Sequence, residues 1–239
     1  MEQTIYLYGD SIGQGVIWDT ARQRYRLAPA RCVRILAEAG LRIESRARMG
    51  MTARDGLAAL RADPPEGEGF LAIEFGGNDC DLDWDALQAA PEEGPRARTP
   101  LGEFGGLLDQ LIREGRLLGL TPVLVTPPPI LARRYFDWVS RGRDANALLR
   151  GIGDVERISR WQERYAREVC SAAWRNVCGC VDLREAFLGA ADFPSLICQD
   201  GIHPTAEGQE LMARRVLDAL DGLRAAGRRA AWAGTRFAG

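Results

Sequence analysis

A serine hydroxyl is a weak nucleophile until a neighbouring base takes its proton. Ser11 lies in Gly9-Asp10-Ser11, directly after a β-rich segment. The chain contains one histidine, His203, so any imidazole base must be that residue. Asp200 precedes it in Asp200-Gly201-Ile202-His203, close enough to accept from the imidazole Nδ1–H and fix its tautomer. An acyl-transfer oxyanion needs donors held ready for it. The candidates are the backbone N–H of Ser11, the backbone N–H of Gly50 and the side-chain amide of Asn78 in Gly76-Gly77-Asn78-Asp79. Gly50 has no Cβ, which suits close backbone approach. An imidazole base also predicts a rate that falls as acid protonates it.

Composition narrows the alternatives. The 239 residues carry 31 basic side chains, all of them Arg, and no Lys. Schiff-base lysine chemistry and a P-loop lysine are thereby excluded. One His rules out paired-histidine zinc and two-histidine iron sites. Hydrophobic residues at 46% and charged residues at 27% are ordinary globular usage. A net charge of −2 gives no reason to expect a nucleic-acid partner. No apolar run is long enough to insert stably in a membrane. The first residues lack a signal-peptide layout, so a cytoplasmic address with six free thiols is expected. Oligomeric state is not readable.

These residues need elements to carry them. Strands are expected at residues 4–8, 41–47, 70–75, 121–126 and 176–183. Helices are expected at 29–39, 52–62, 101–118, 155–174 and 205–223, with Thr52-Ala53-Arg54-Asp55 as a capping box. Strands alternating with helices argue a three-layer α/β/α sandwich around a five-stranded parallel sheet. Ligands in such folds sit beyond the carboxyl ends of the strands, where Ser11 and Asn78 fall. A single domain over 1–224 is expected, with long loops at 80–100 and 127–154 and a frayed tail at 225–239.

Any one of these peptides is ordinary turn chemistry. Their ordered set resembles the SGNH hydrolases of the GDSL esterase/lipase superfamily. The matching blocks are Gly9-Asp10-Ser11, Gly50, Gly76-Gly77-Asn78-Asp79 and Asp200-Gly201-Ile202-His203-Pro204, spread over nearly the whole chain. The resemblance implies a flavodoxin-like fold and ester hydrolysis without a cofactor or metal. It makes Ser11 the nucleophile, His203 the base and Asp200 its orienter, with Ser11, Gly50 and Asn78 as oxyanion hole. Ser45 departs from the pattern, since many relatives carry Asn there before the glycine. Gly9-Asp10-Ser11-Ile12-Gly13 also fits the nucleophile elbow of α/β-hydrolases, but that elbow follows several strands and its acid lies far from the His.

The expected substrate is a small ester: a short acyl ester, an acetylated sugar or a lysophospholipid. Trp84, Tyr135, Phe136 and Trp138 are expected to bind it, with Trp18 and Tyr25 as further lining candidates. The acids at Asp79, Asp81, Asp83 and Asp85 alternate as in a calcium loop, but Trp84 and Ala90 break the EF-hand pattern, so a solvated acidic loop is expected. Cys178-Gly179-Cys180 lacks a second ligand pair, so buried structural thiols are expected. Two rival readings are a binding domain that keeps the fold without turnover and a thiol- or metal-based role for the cysteines.

Overall fold

The computed structural model describes residues 4–234. Its elements run β1 (Thr4–Gly9), α1 (Ser11–Gln14), β2 (Val16–Asp19), β3 (Arg24–Leu27), α2 (Cys32–Glu38), β4 (Arg42–Ser45), α3 (Ala53–Ala62), β5 (Gly69–Glu74) and α4 (Gly77–Cys80). They continue through α5 (Trp84–Ala89), α6 (Leu101–Leu117), β6 (Thr121–Val125), α7 (Ala132–Val139), α8 (Ala145–Ile152), α9 (Arg157–Arg175), β7 (Gly179–Val181), α10 (Leu183–Leu188) and α11 (Ala206–Gly234).

The main sheet has five parallel strands in the order β4-β1-β5-β6-β7. Counted along the chain that is 2-1-3-4-5, the flavodoxin-like order, whose crevice opens between the first and third strands. Those strands are β1 and β5, which end at Gly9 and Glu74 in register. Side-chain alternation divides the core between two faces. Tyr6, Tyr8, Leu71, Ile73 and Leu124 pack under α3, α6 and α9. Val123, Val125 and Val181 pack on the opposite face with Leu36, Phe187 and Met212.

Several segments depart from the sequence expectation. Residues 16–27, for which the pattern predicts no element, form an antiparallel hairpin of β2 and β3. The stretches 80–100 and 127–154 are not plain loops: they fold into α5, α7 and α8, which gather a third apolar cluster around Leu82, Trp84, Phe136, Leu148 and Ile158. Their elements are only 6 to 8 residues long, too short for a periodic signal to stand out. The last helix continues to Gly234, past the boundary drawn at 225, and residues 235–239 of the expected tail lie outside the described residues. No described helix is long and apolar enough to cross a membrane.

Candidate active site

The turn after β1 is built by short-range polar contacts. Asp10 caps α1, its Oδ1 accepting from the Ile12 N–H at 2.8 Å. Its Oδ2 accepts from Asn78 Nδ2 at 3.0 Å, so the end of β5 is tied to the end of β1. One N–H of that amide is used there; an amide nitrogen carries two. Asp79, fully buried, accepts from the Ala53 N–H at the start of α3. That bond holds the loop containing Gly50 against the site. The same loop is held by Arg48 N–H donating to the Gly9 carbonyl and Met49 N–H donating to Gln14. Gly50 is left-handed at φ 83°, a conformation that favours glycine.

The loop before α11 brings Asp200 and His203 across to Ser11. Asp200 Oδ1 accepts from the N–H groups of Ile202 and His203, both at 3.1 Å, which shapes the loop. Its Oδ2 lies 2.6 Å from His203 Nδ1, and His203 Nε2 lies 2.9 Å from Ser11 Oγ. A carboxylate on Nδ1 makes that nitrogen the N–H and leaves Nε2 as acceptor for the serine proton. Burial alone would raise the Asp200 carboxyl, but the His203 bond and charge and the two backbone donors outweigh it and hold it below its ordinary value. Gly201 sits at φ 82°, and a Cβ there would stand 2.5 Å from the Tyr135 nitrogen. Its bare backbone lets α7 dock on this loop, where Leu131 N–H donates to the Gly201 carbonyl at 2.8 Å.

The hairpin screens the imidazole. Trp18 and Tyr25 are cross-strand partners with ring centroids 4.9 Å apart, and the Tyr25 ring lies 5.0 Å from His203. Trp138 packs edge-on against Trp18 at 4.5 Å.

Beside Ser11 opens a cavity lined by Asn78, Asp81, Trp84, Tyr135, Trp161 and Ile202, among others. Of the side chains expected to bind substrate, Trp84 and Tyr135 reach it. Phe136 and Trp138 do not: Phe136 is buried in the cluster with Leu82 and Ile158, and Trp138 leans on the hairpin. Helical spacing accounts for Phe136, which lies about 100° around α7 from Tyr135. Trp138 lies one turn from Tyr135 on the same face and packs instead on Trp18 and Tyr25 of the hairpin. The acids of 79–85 form a solvated loop only in part, since Asp83 and Asp85 are exposed and Asp79 and Asp81 are not. Asp79 is buried, Asp81 accepts from Trp84 and Tyr135, Asp83 caps α5 and Asp85 pairs with Arg143. All six cysteines are unpaired; Cys32, Cys80 and Cys198 are buried, whereas Cys170 and Cys180 are exposed, against the expectation of a buried 178–180 pair. Among the described residues no group of three or more His, Cys, Asp or Glu gathers as metal ligands would.

Glu74 is a residue the motif reading missed. It ends β5 beneath the serine turn, 2% exposed, with Oε2 accepting from the N–H groups of Gly13 (3.0 Å) and Asp10 (3.3 Å). Its Oε1 is buried without a partner. A Cβ at Gly9 or Gly13 would meet Oε2 at 2.7 or 2.9 Å, so both glycines of Gly9-Asp10-Ser11-Ile12-Gly13 make room for this carboxyl. Burial, and then the Asp10 charge, raises it well above the ordinary value, which favours the neutral acid. Burial also lifts Asp10 and Asp79, each to about 6. The signal in the sequence was an acid inside the otherwise apolar strand Phe70-Leu71-Ala72-Ile73-Glu74-Phe75.

A doubly wound α/β/α sandwich with a Ser–His–Asp relay at its switch point defines a class of serine hydrolase. The chain belongs to the GDSL-like lipase/acylhydrolase family, whose model matches residues 7–211, and it is an SGNH-type hydrolase. Solved structures share the fold. A lipase/acylhydrolase from Enterococcus faecalis is 20% identical with a TM-score of 0.65, over 92% of this chain and 96% of its own. An acetylxylan esterase from Geobacillus stearothermophilus is 20% identical with a TM-score of 0.61, over 91% and 93%. A GDSL-like lipase from Bacteroides thetaiotaomicron is 16% identical with a TM-score of 0.60, over 93% and 89%. No curated protein matches the sequence.

Proposed function

We propose that the protein is a serine esterase that hydrolyses a small carboxylic ester through an acyl-enzyme on Ser11. The observation that carries this is the continuous relay from Asp200 through His203 to Ser11, at 2.6 and 2.9 Å, opening on a cavity beside Asn78. In the first half-reaction Ser11 Oγ attacks the ester carbonyl while His203 Nε2 takes its proton. The oxyanion is received by the backbone N–H groups of Ser11 and Gly50 and by the Asn78 N–H not given to Asp10. His203 then returns the proton to the leaving alcohol as the C–O bond breaks. Water adds to the acyl-enzyme by the same steps and releases the acid. Asp200 holds the tautomer throughout and stabilises the imidazolium.

Short acyl esters, acetylated sugars and lysophospholipids all present this carbonyl, and the acetylxylan esterase among the structural relatives supports the acetyl-ester member of that set. A single domain over 1–224 and a cytoplasmic address remain part of this proposal, the latter supported by the six unpaired cysteines.

The test is turnover of short p-nitrophenyl esters by wild type and Ser11→Ala. A loss of roughly 10³-fold or more is expected, by analogy with other triads. Unchanged turnover in folded Ser11→Ala would sink the mechanism. Failure of wild-type Ser11 to react with a fluorophosphonate would favour a binding domain instead.

A further inference from the structure

The cavity beside Ser11 is walled mostly by apolar side chains, including Leu82, Ile130, Ile152, Ile158 and Trp161. One carboxyl interrupts that wall. Asp81 begins the segment that follows α4, so it stands one short turn beyond Asn78. Its Oδ1 is saturated: the Leu82 N–H donates at 2.9 Å, Trp84 Nε1 at 3.0 Å and the Tyr135 hydroxyl at 2.5 Å. Its Oδ2 takes no hydrogen bond among the described residues, yet it is not one of the buried unpaired atoms, so it reaches open space. Asp81 is among the residues that line this cavity.

Two other polar side chains of the lining, Gln162 and Asp10, are already engaged as acceptors. Gln162 donates to the Pro128 carbonyl and accepts from Arg184, and Asp10 is held by Ile12 and Asn78. Three donors on one oxygen fix the carboxyl plane, so Oδ2 is an acceptor set in place before substrate arrives. Such an oxygen in apolar surroundings selects a ligand that brings a donor. Arg157 lines the same cavity and disfavours a cationic ligand, which favours a neutral donor such as a hydroxyl.

We propose that Asp81 is a specificity-determining residue that accepts a hydrogen bond from a hydroxyl on the substrate, close to the ester. The substrate class is thus a hydroxylated ester with an apolar body. The hydroxyl belongs either to the acyl group, as in a hydroxyacyl ester, or to the alcohol, as in a polyol or sugar ester. This inference rests on the esterase reading above.

Two matched pairs test it. p-Nitrophenyl butyrate against p-nitrophenyl β-hydroxybutyrate places the hydroxyl on the acyl side. Propyl butyrate against its monohydroxylated counterpart places it on the alcohol side. Wild type is expected to favour the hydroxylated member of one pair by about tenfold in kcat/KM, the size of one net hydrogen bond. The pair that responds shows which half of the ester occupies the cavity. In Asp81→Asn, where an amide N–H₂ replaces Oδ2 but the Oδ1 acceptor remains, the hydroxyl can no longer donate there and that ratio should fall severalfold. Tyr135→Phe keeps the carboxyl but loosens its plane and should lower the ratio by a smaller factor. Equal rates within both pairs in wild type would overturn the proposal, as would a ratio that Asp81→Asn leaves intact. Absence of turnover on all four esters would overturn the esterase reading and the subsite with it.

Discussion

In the mechanism proposed above, the Asn78 amide has two tasks: one N–H holds Asp10 at 3.0 Å, and the other receives the oxyanion. Removing an oxyanion donor from a hydrolase costs about 10²–10³-fold in kcat with little change in KM. Asn78→Ala should show that pattern in steady-state kinetics on a short p-nitrophenyl ester. A rise in KM with kcat intact would instead assign the amide to ground-state binding. Asn78 was legible as a candidate because Gly-Gly-Asn-Asp is a local peptide at a strand end. The role of Glu74 was not, since nothing in its neighbourhood names Gly13, a residue 61 positions away, as its partner.

At the level of elements, two glycines separate intrinsic propensity from packing. Gly56 lies in α3 facing the sheet, and a Cβ there would come within 2.3 Å of the fully buried Phe75 ring. Gly106 lies on the exposed side of α6, where an added Cβ would meet nothing within 4 Å. Alanine is the better helix former at either position by about 1 kcal/mol. Overpacking a core costs about 1–3 kcal/mol, so the clash outweighs that gain at Gly56. Urea denaturation should therefore show Gly56→Ala with a lower midpoint than wild type and Gly106→Ala with a higher one. The boundaries of α3 were readable because its capping box is formed by neighbours, Thr52 and Asp55 bonding each other's backbone. The β2–β3 hairpin was not, because its aromatic pair is stabilised by Trp138 and His203, both more than a hundred residues away in sequence.

For the whole molecule, three acids buried at the crevice set the response to pH. Asp10 and Asp79 titrate near 6 in the folded chain against an ordinary 3.8, and Glu74 titrates well above 4.5. Between those values the unfolded chain has released protons that the folded chain keeps, so stability falls as pH rises through the window. For Asp79 alone the shift corresponds to roughly 3 kcal/mol. Asp200 acts in the opposite sense, its contribution being lost as pH falls below about 3.8. Thermal melts from pH 4 to 8 should show Glu74→Gln gaining on wild type as pH rises, because glutamine keeps the acceptor and cannot ionise. Parallel curves for the two proteins would mean that Glu74 is charged in the fold.

The sequence by itself determined the strand–helix alternation, the capping of α3 and the choice of Ser11, Asn78, Asp200 and His203 as candidate site residues. Each of these depends on periodicity, a turn peptide or a spacing of a few residues, all of which are written locally. Tertiary structure alone decided that Glu74 props the serine turn, that Trp18, Tyr25 and Trp138 cluster beside the imidazole, and that Phe136 belongs to the core. It also decided which oxygen of Asp81 is spent and which is free, since two of its three donors, the Trp84 indole and the Tyr135 hydroxyl, arrive on different helices. Contacts between distant segments follow from how whole faces pack, and no short peptide records that.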